Sequence, residues 1–277
     1  MLVTTCLFVC QDSIARILLK AYPATEIAFA RFFVHMVVVS VFIAWRDPRL
    51  MISRRPMLQM LRSSFLLGGT LFGMFALKIM PFVDFSAIVW FAPVLIAALS
   101  VFILHEKVSP SVWVSVIAGL MGVWVLIGQT GMDFSLSMLF PCLAALANAL
   151  YQIATRWVMA HDSPATGIVF AALLGSLGTT AILPFIWVTP KSLADLAMLL
   201  ALGCFGGLGH FLVIKAFQAA PASVIAPLGY VELIGTATLG YLIFANFPDA
   251  LTWVGALIII ASGLYIAMRE RRRLGIR

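Results

Sequence analysis

Charge is what this sequence has least of. Only 10% of its 277 residues are charged and just 11 are acidic, too few to cover the surface of a soluble domain of that length. Cysteine is also scarce. Cys6, Cys10, Cys142 and Cys204 all fall in apolar stretches, at no metal-ligand spacing with histidine, so neither a disulfide framework nor a metal site is expected. The chain has no HExxH zinc pair, no GxSxG nucleophile elbow and no Walker-type phosphate loop. These absences argue against an intramembrane peptidase, a serine hydrolase or an ATP-driven pump, and no cofactor is expected. No basic segment precedes the first apolar stretch, which is therefore expected to stay as a span rather than be cleaved as a signal.

Apolar sequence fills the space. Hydrophobic residues make up 63% of the chain and mean hydropathy is +1.09. They are parcelled into stretches of about twenty residues, the length a helix needs to cross hydrocarbon. Ten spans are predicted, at 2–19, 25–45, 57–79, 83–104, 111–128, 136–159, 165–187, 195–217, 222–244 and 250–268. Most connections are a few residues long, so successive helices run antiparallel. The fold class expected is an all-α integral membrane protein with the lipid bilayer as its surroundings.

The net charge of +7 is a matter of placement and carries no signal for nucleic acid. Arg46, Arg49, Arg54, Arg55 and Arg62 surround one loop, and Arg269, Arg271, Arg272, Arg273 and Arg277 form the tail. With the N-terminus inside, these ten plus Lys107 and Arg156 give twelve inner cations, against Arg16, Lys20, Lys78 and Lys191 outside. The positive-inside rule then places both termini in the cytoplasm of a bacterial-type inner membrane.

The chain also repeats itself. Pro-Ala-Thr-Glu-Ile-Ala-Phe-Ala from Pro23 is echoed by Pro-Ala-Thr-Gly-Ile-Val-Phe-Ala from Pro164, six identities in eight at a shift of 141. Pro81 matches Pro221 and Trp113 matches Trp253 at a shift of 140, while Gly68-Gly69 matches Gly206-Gly207 at 138. The expected units are 1–130 and 131–277. Five spans per unit is an odd number, so the second unit enters the membrane from the opposite side. Such inverted repeats supply two nearly equivalent states, one open to each face, and so point to a transporter working by alternating access.

The pattern resembles the drug/metabolite transporter superfamily, specifically its EamA-type ten-span members, over essentially the full chain. The residues carrying it are Pro23 to Phe32, Ala92-Pro93, His105-Glu106-Lys107, Trp113 and Gly119 to Gly122 in the first unit. In the second they are Val231-Glu232-Leu233, Trp253, Gly255 and Ser262-Gly263. Where members typically show Glu-Pro in the fourth and ninth spans, this chain has Ala92-Pro93 and Glu232-Leu233, and Glu106 is answered by Asn246. The resemblance implies a central cavity enclosed by the first four helices of each unit, with the fifth and tenth peripheral. It also implies a small-molecule substrate, here expected to be an aromatic or large neutral amino acid moved outward. The alternatives are another metabolite (S-adenosylmethionine, a nucleotide sugar, a drug) or, outside the class, a channel or intramembrane enzyme.

Charged groups inside spans usually face a cavity or the bundle interior. Asp12 and Arg16 share a helix face four residues apart and either pair or line the path. Arg31 either grips a carboxylate in a fork or pairs with Glu26. Glu232 is a candidate for proton exchange, for an ammonium group, or for a plain interhelical hydrogen bond. His210 is either a cavity residue or structural, and Lys215 snorkels to the interface. Of Trp90, Phe91, Asn148, Tyr151, Gln152, Trp157 and Tyr230, about three are expected to reach the cavity. The set expected to line it is Asp12, Arg16, Arg31, Trp90, Phe91, Asn148, Tyr151, His210, Tyr230 and Glu232. Pro93 and Pro227 are expected to kink the fourth and ninth spans as hinges. Asp12 and Glu232 are the candidates for proton coupling. Oligomeric state leaves no mark on the sequence.

Overall fold

The computed structural model describes residues 2–103, 110–129, 139–158, 161–219, 229, 231–245 and 249–273. Among them there are helices and no strand. In chain order these are α1 (Leu2–Leu18), α2 (Ala24–Arg46), α3 (Pro56–Ile79), α4 (Phe82–Val89), α5 (Ala92–Ile103) and α6 (Pro110–Gln129). The second half gives α7 (Leu139–Val158), α8 (Pro164–Thr180), α9 (Leu193–Ala219), α10 (Glu232–Phe244) and α11 (Ala250–Arg273). The predicted fourth span is thus two helices, α4 and α5.

Proline marks where helices begin. Pro56, Pro110 and Pro164 stand at the first position of α3, α6 and α8, where a missing N–H costs nothing and φ is already helical. Ser163 caps α8 by accepting the Thr166 amide at 3.1 Å. Inside a span, proline acts differently. Pro93 has no N–H for the carbonyl of Val89, and the helix breaks there. Trp90 N still reaches Ser86 O, but Phe91 N bonds Ile88 O and Val94 N bonds Phe91 O, both i to i−3. Pro227 lies outside the described residues.

The helices pair as a pseudo-twofold between the halves demands. α1 packs on α9 as α7 packs on α3, α2 on α9 as α8 on α3, while α2 meets α8 and α6 meets α11 across the axis. Small residues permit the closest crossings. A Cβ on Gly203 of α9 would lie 2.4 Å from Cβ of Val34 on α2, and one on Gly206 would lie 2.6 Å from Nε2 of Gln11 on α1.

The outer surface is apolar. Ile117, Trp124 and Leu242 are 62%, 64% and 70% exposed, which water would penalise and lipid does not. Among the described residues five helical segments are long and apolar enough to cross a bilayer, at Ala24–Val41, Pro56–Ile79, Asp84–Ile103, Pro164–Phe185 and Leu193–Ala216, with shorter apolar helices beside them. α1 and α7, the first helices of each half, are instead amphipathic. They turn Gln11 and Asp12, and Asn148 and Tyr151, toward the middle of the bundle.

Candidate functional site

A cavity of about 150 Å³ opens between the halves. Phe8, Gln11 and Asp12 of α1, Arg31 of α2, Glu232 of α10, and Asn148 and Tyr151 of α7 line it, together with His210 of α9 and the face of α3 from Phe65 to Leu77. Sequence separations of more than two hundred residues close here, because the inverted halves lay α1 against α9 and α10.

The charges in the cavity are segregated. Arg31 stands within electrostatic reach of Asp12, and Asp12 within reach of Glu232. Among the described residues neither carboxyl makes a side-chain hydrogen bond. On the other side Arg31 Nη2 donates to His210 Nε2 at 3.3 Å, and Tyr151 Oη lies 3.3 Å from His210 Nδ1. His35 stacks on His210 with ring centroids 6.4 Å apart. Phe8 tilts against His210 at 5.2 Å.

Two polar clusters close the bundle at opposite ends. At one, Arg62 is fully buried. It donates to Thr155 Oγ1 at 2.7 Å, to Gly167 O at 2.8 Å and to Tyr151 Oη at 2.8 Å. Beside it Asp162 accepts from Ser53 Oγ, from Arg54 N at 2.8 Å and from Gln59 Nε2 at 2.8 Å. Burial alone would raise the Asp162 carboxyl, but those hydrogen bonds outweigh it and hold the group below the ordinary carboxylate range. At the other end Arg16 Nη1 donates to Met80 O at 2.5 Å and Leu77 O at 3.3 Å. There Glu26 Oε2 accepts the Val188 amide at 3.0 Å and Tyr22 donates to Asp195 at 2.7 Å.

Six of the ten residues expected at the cavity line it: Asp12, Arg31, Asn148, Tyr151, His210 and Glu232. Three do not line this cavity. Arg16 lies a full turn beyond Asp12 and is drawn to the carbonyls that end α3, so of the two alternatives for Asp12 and Arg16 the pair is not formed, and Asp12 faces Arg31 instead. Trp90 and Phe91 are buried against α6 and α11 in a hydrophobic cluster with Val94, Val123 and Ile259, because the helix break turns them to that side. Tyr230 lies outside the described residues. Arg31 is not paired with Glu26, which holds a backbone amide instead. The sequence reading missed Arg62, counted among the topology arginines although it lies inside α3, and His35, whose neighbours along the chain, Phe33 to Val37, are all apolar.

With that geometry in hand, the likeness to known proteins is consistent. The EamA-like transporter family matches residues 2–128 and again 135–268. The chain belongs to the EamA-like transporter family. An S-adenosylmethionine uptake transporter of Rickettsia bellii (strain RML369-C) is 30% identical over 262 residues, 95% of this chain and 90% of that protein. A riboflavin transporter of Vibrio cholerae is 29% identical over 170 residues, 61% of this chain and 57% of that protein. A solved crystal structure superimposes with a TM-score of 0.71 over 98% of this chain and 96% of its own, at 18% identity, which shows the fold alone. This EamA-like chain is therefore a multi-pass membrane transporter of small molecules on the family's ten-span fold with its internal repeat. The amino acid expected as substrate finds no counterpart in these relatives, whereas S-adenosylmethionine, weighed as an alternative, does.

Proposed function

We propose that the protein takes up S-adenosylmethionine, or a close analogue bearing a cation and an amino-acid group, by alternating access around the central cavity. The observation that carries this reading is the charge segregation in that cavity. With both carboxyls ionised, Asp12, Glu232 and Arg31 sum to one negative charge. S-adenosylmethionine at neutral pH carries a sulfonium, an ammonium and a carboxylate, a net charge of plus one. A neutral zwitterion would leave one carboxylate uncompensated, and an unpaired buried charge is costly. The cationic ligand itself favours the ionised carboxyls. The phenyl rings of Phe8, Phe65 and Phe85 line the same cavity and can pack against a purine.

Known ligand sites commonly measure roughly 300–1,000 Å³. At about 150 Å³ the cavity is smaller than these and must widen to admit a nucleoside. Units 1–130 and 131–277 rock against each other to do so, with the break before Pro93 as a hinge. Arg16 at the outer end and Arg62 with Asp162 at the cytoplasmic end release in alternation. Both termini face the cytoplasm.

Proteoliposomes containing the protein and a labelled panel of S-adenosylmethionine, tryptophan, phenylalanine, methionine and riboflavin test the reading. Saturable S-adenosylmethionine flux, lost in Asp12→Asn and Glu232→Gln, is expected. Flux of tryptophan or phenylalanine in preference would overturn the substrate and restore the amino-acid reading.

A further inference from the structure

A donor–acceptor count around His210 assigns a direction to every hydrogen bond in the cavity's basic corner. Arginine has five N–H donors and no acceptor. The 3.3 Å contact between Arg31 Nη2 and His210 Nε2 therefore requires a lone pair on Nε2. The imidazole proton must then sit on Nδ1, and the 3.3 Å contact with Tyr151 runs from Nδ1–H to the phenol oxygen. That oxygen also accepts Arg62 Nη2 at 2.8 Å. Both acceptor positions of Tyr151 Oη are occupied, and its own hydrogen has no acceptor among the described residues. Yet Tyr151 is 2% exposed and lines the cavity. A buried hydroxyl donor without a partner is costly, and the space it faces is where a ligand would lie.

We propose that Tyr151 is an obligatory hydrogen-bond donor into the cavity and, with Arg31, forms the corner that recognises the substrate's carboxylate. This deepens the S-adenosylmethionine reading and rests on it for the ligand's identity, though not for the direction of the hydrogen bonds. Arg62 and His210 are positioning residues. Arg62 fills one lone pair of the phenol from the cytoplasmic cluster and His210 fills the other, so the O–H can only point outward into the cavity. The ligand's carboxylate lies at this corner, and its ammonium and sulfonium face Asp12 and Glu232. The arrangement is polar end to end, so an amino-acid group enters in one orientation only.

Two measurements on the full-length protein in lipid nanodiscs test the assignment. The first is the ¹⁵N spectrum of histidine-labelled protein, with the His210 signals identified by their loss in His210→Gln. A neutral ring protonated on Nδ1 is expected. Protonation on Nε2, or an imidazolium, overturns the assignment whatever the substrate proves to be. The second compares binding of S-adenosylmethionine with that of its decarboxylated analogue to wild type and Tyr151→Phe. Losing a hydrogen bond to a charged group should weaken S-adenosylmethionine roughly tenfold or more and leave the decarboxylated analogue within about twofold. Equal weakening of both ligands, or of neither, refutes the carboxylate corner. If wild type binds neither compound, the substrate reading falls and the nitrogen spectrum alone decides the direction of the donors.

Discussion

At the scale of single residues, the two most consequential groups outside the cavity are Arg62 and Asp162. Arg62 gives its guanidinium to a hydroxyl, a carbonyl and a phenol with none of its surface exposed. Arg62→Met keeps the bulk of the chain but strands those acceptors, each costing about 1–3 kcal/mol when buried. Thermal unfolding in detergent should show a loss of about 3 kcal/mol or more, and Arg62→Lys should recover only part of it because an ammonium donates from one nitrogen and cannot span the acceptors that Nε, Nη1 and Nη2 reach separately. A full recovery by lysine would mean that charge alone matters there. Asp162 makes a pH prediction. Its carboxyl is held low in the folded state, while in the unfolded chain it titrates near about 3.9. Its stabilisation is thus complete above that unfolded value and drains away as pH falls through the folded one. Wild type should outlast Asp162→Asn by about 1–3 kcal/mol at neutral pH, with the gap closing only below about pH 4. A gap that is unchanged at pH 3 would show that the hydrogen bonds do not depend on ionisation. Neither residue's role was legible in the sequence. Arginines bordering a loop look alike whether they snorkel or turn inward, and the partners of Arg62 lie about a hundred residues away. Asp12, Arg31 and Glu232 were legible because a charge inside a span must find a polar neighbour.

At the scale of elements, α9 carries the stripe Gly203, Gly206 and Gly207 that brings α1 and α2 close. Gly203→Ala places its Cβ against Val34 at 2.4 Å, and backbone on both sides leaves little to yield. Overpacking of this kind costs about 1–3 kcal/mol, so Gly203→Ala should melt earlier, while Gly68→Ala, where the nearest atom is 3.8 Å away, should be neutral. The break between α4 and α5 calls for a different test. Pro93→Ala restores an amide to the carbonyl of Val89 and favours a continuous helix. If the break is a hinge, turnover should fall several-fold with substrate affinity retained, and normal turnover would remove the role. Most span boundaries were readable from hydropathy to within a few residues, with Pro56, Pro110 and Pro164 punctuating them, but α8 ends at Thr180 rather than at 187 and the expected start of the ninth span lies outside the described residues. The split of the fourth span was anticipated only as a kink. A proline says that one hydrogen bond is missing but not how far the backbone turns, and that turn is what carried Trp90 and Phe91 away from the cavity into the packing against α6 and α11.

At the scale of the whole molecule, the repeated halves were the most legible feature, because an inverted repeat leaves its mark as ordered matches at nearly constant spacing. What the repeat cannot convey is the cargo, which the halves enclose with residues they do not share. Glu232 aligns with Ala92 at the shift of 140, and Arg31 with Ala172 at 141. The cavity's charge asymmetry is thus an addition to a symmetric frame. Its consequence reaches the energetics of transport. If both carboxyls stay ionised in the empty carrier, a ligand of charge plus one gives a loaded carrier that is electrically neutral, and the negative charge moves with the empty carrier on its return. On the proposed uptake reading, one positive charge would then be carried inward per cycle, with the membrane potential as the driving force and no coupled proton. A charge crossing 100 mV is worth about 2.3 kcal/mol, equivalent to roughly fifty-fold accumulation. Proteoliposomes given an inside-negative potassium diffusion potential should therefore concentrate S-adenosylmethionine toward that limit, whereas a pH gradient imposed at zero potential should do little. Accumulation that follows the pH gradient and ignores the potential would instead make Asp12 and Glu232 proton carriers, since they would be exchanging a proton for the cation on every turn.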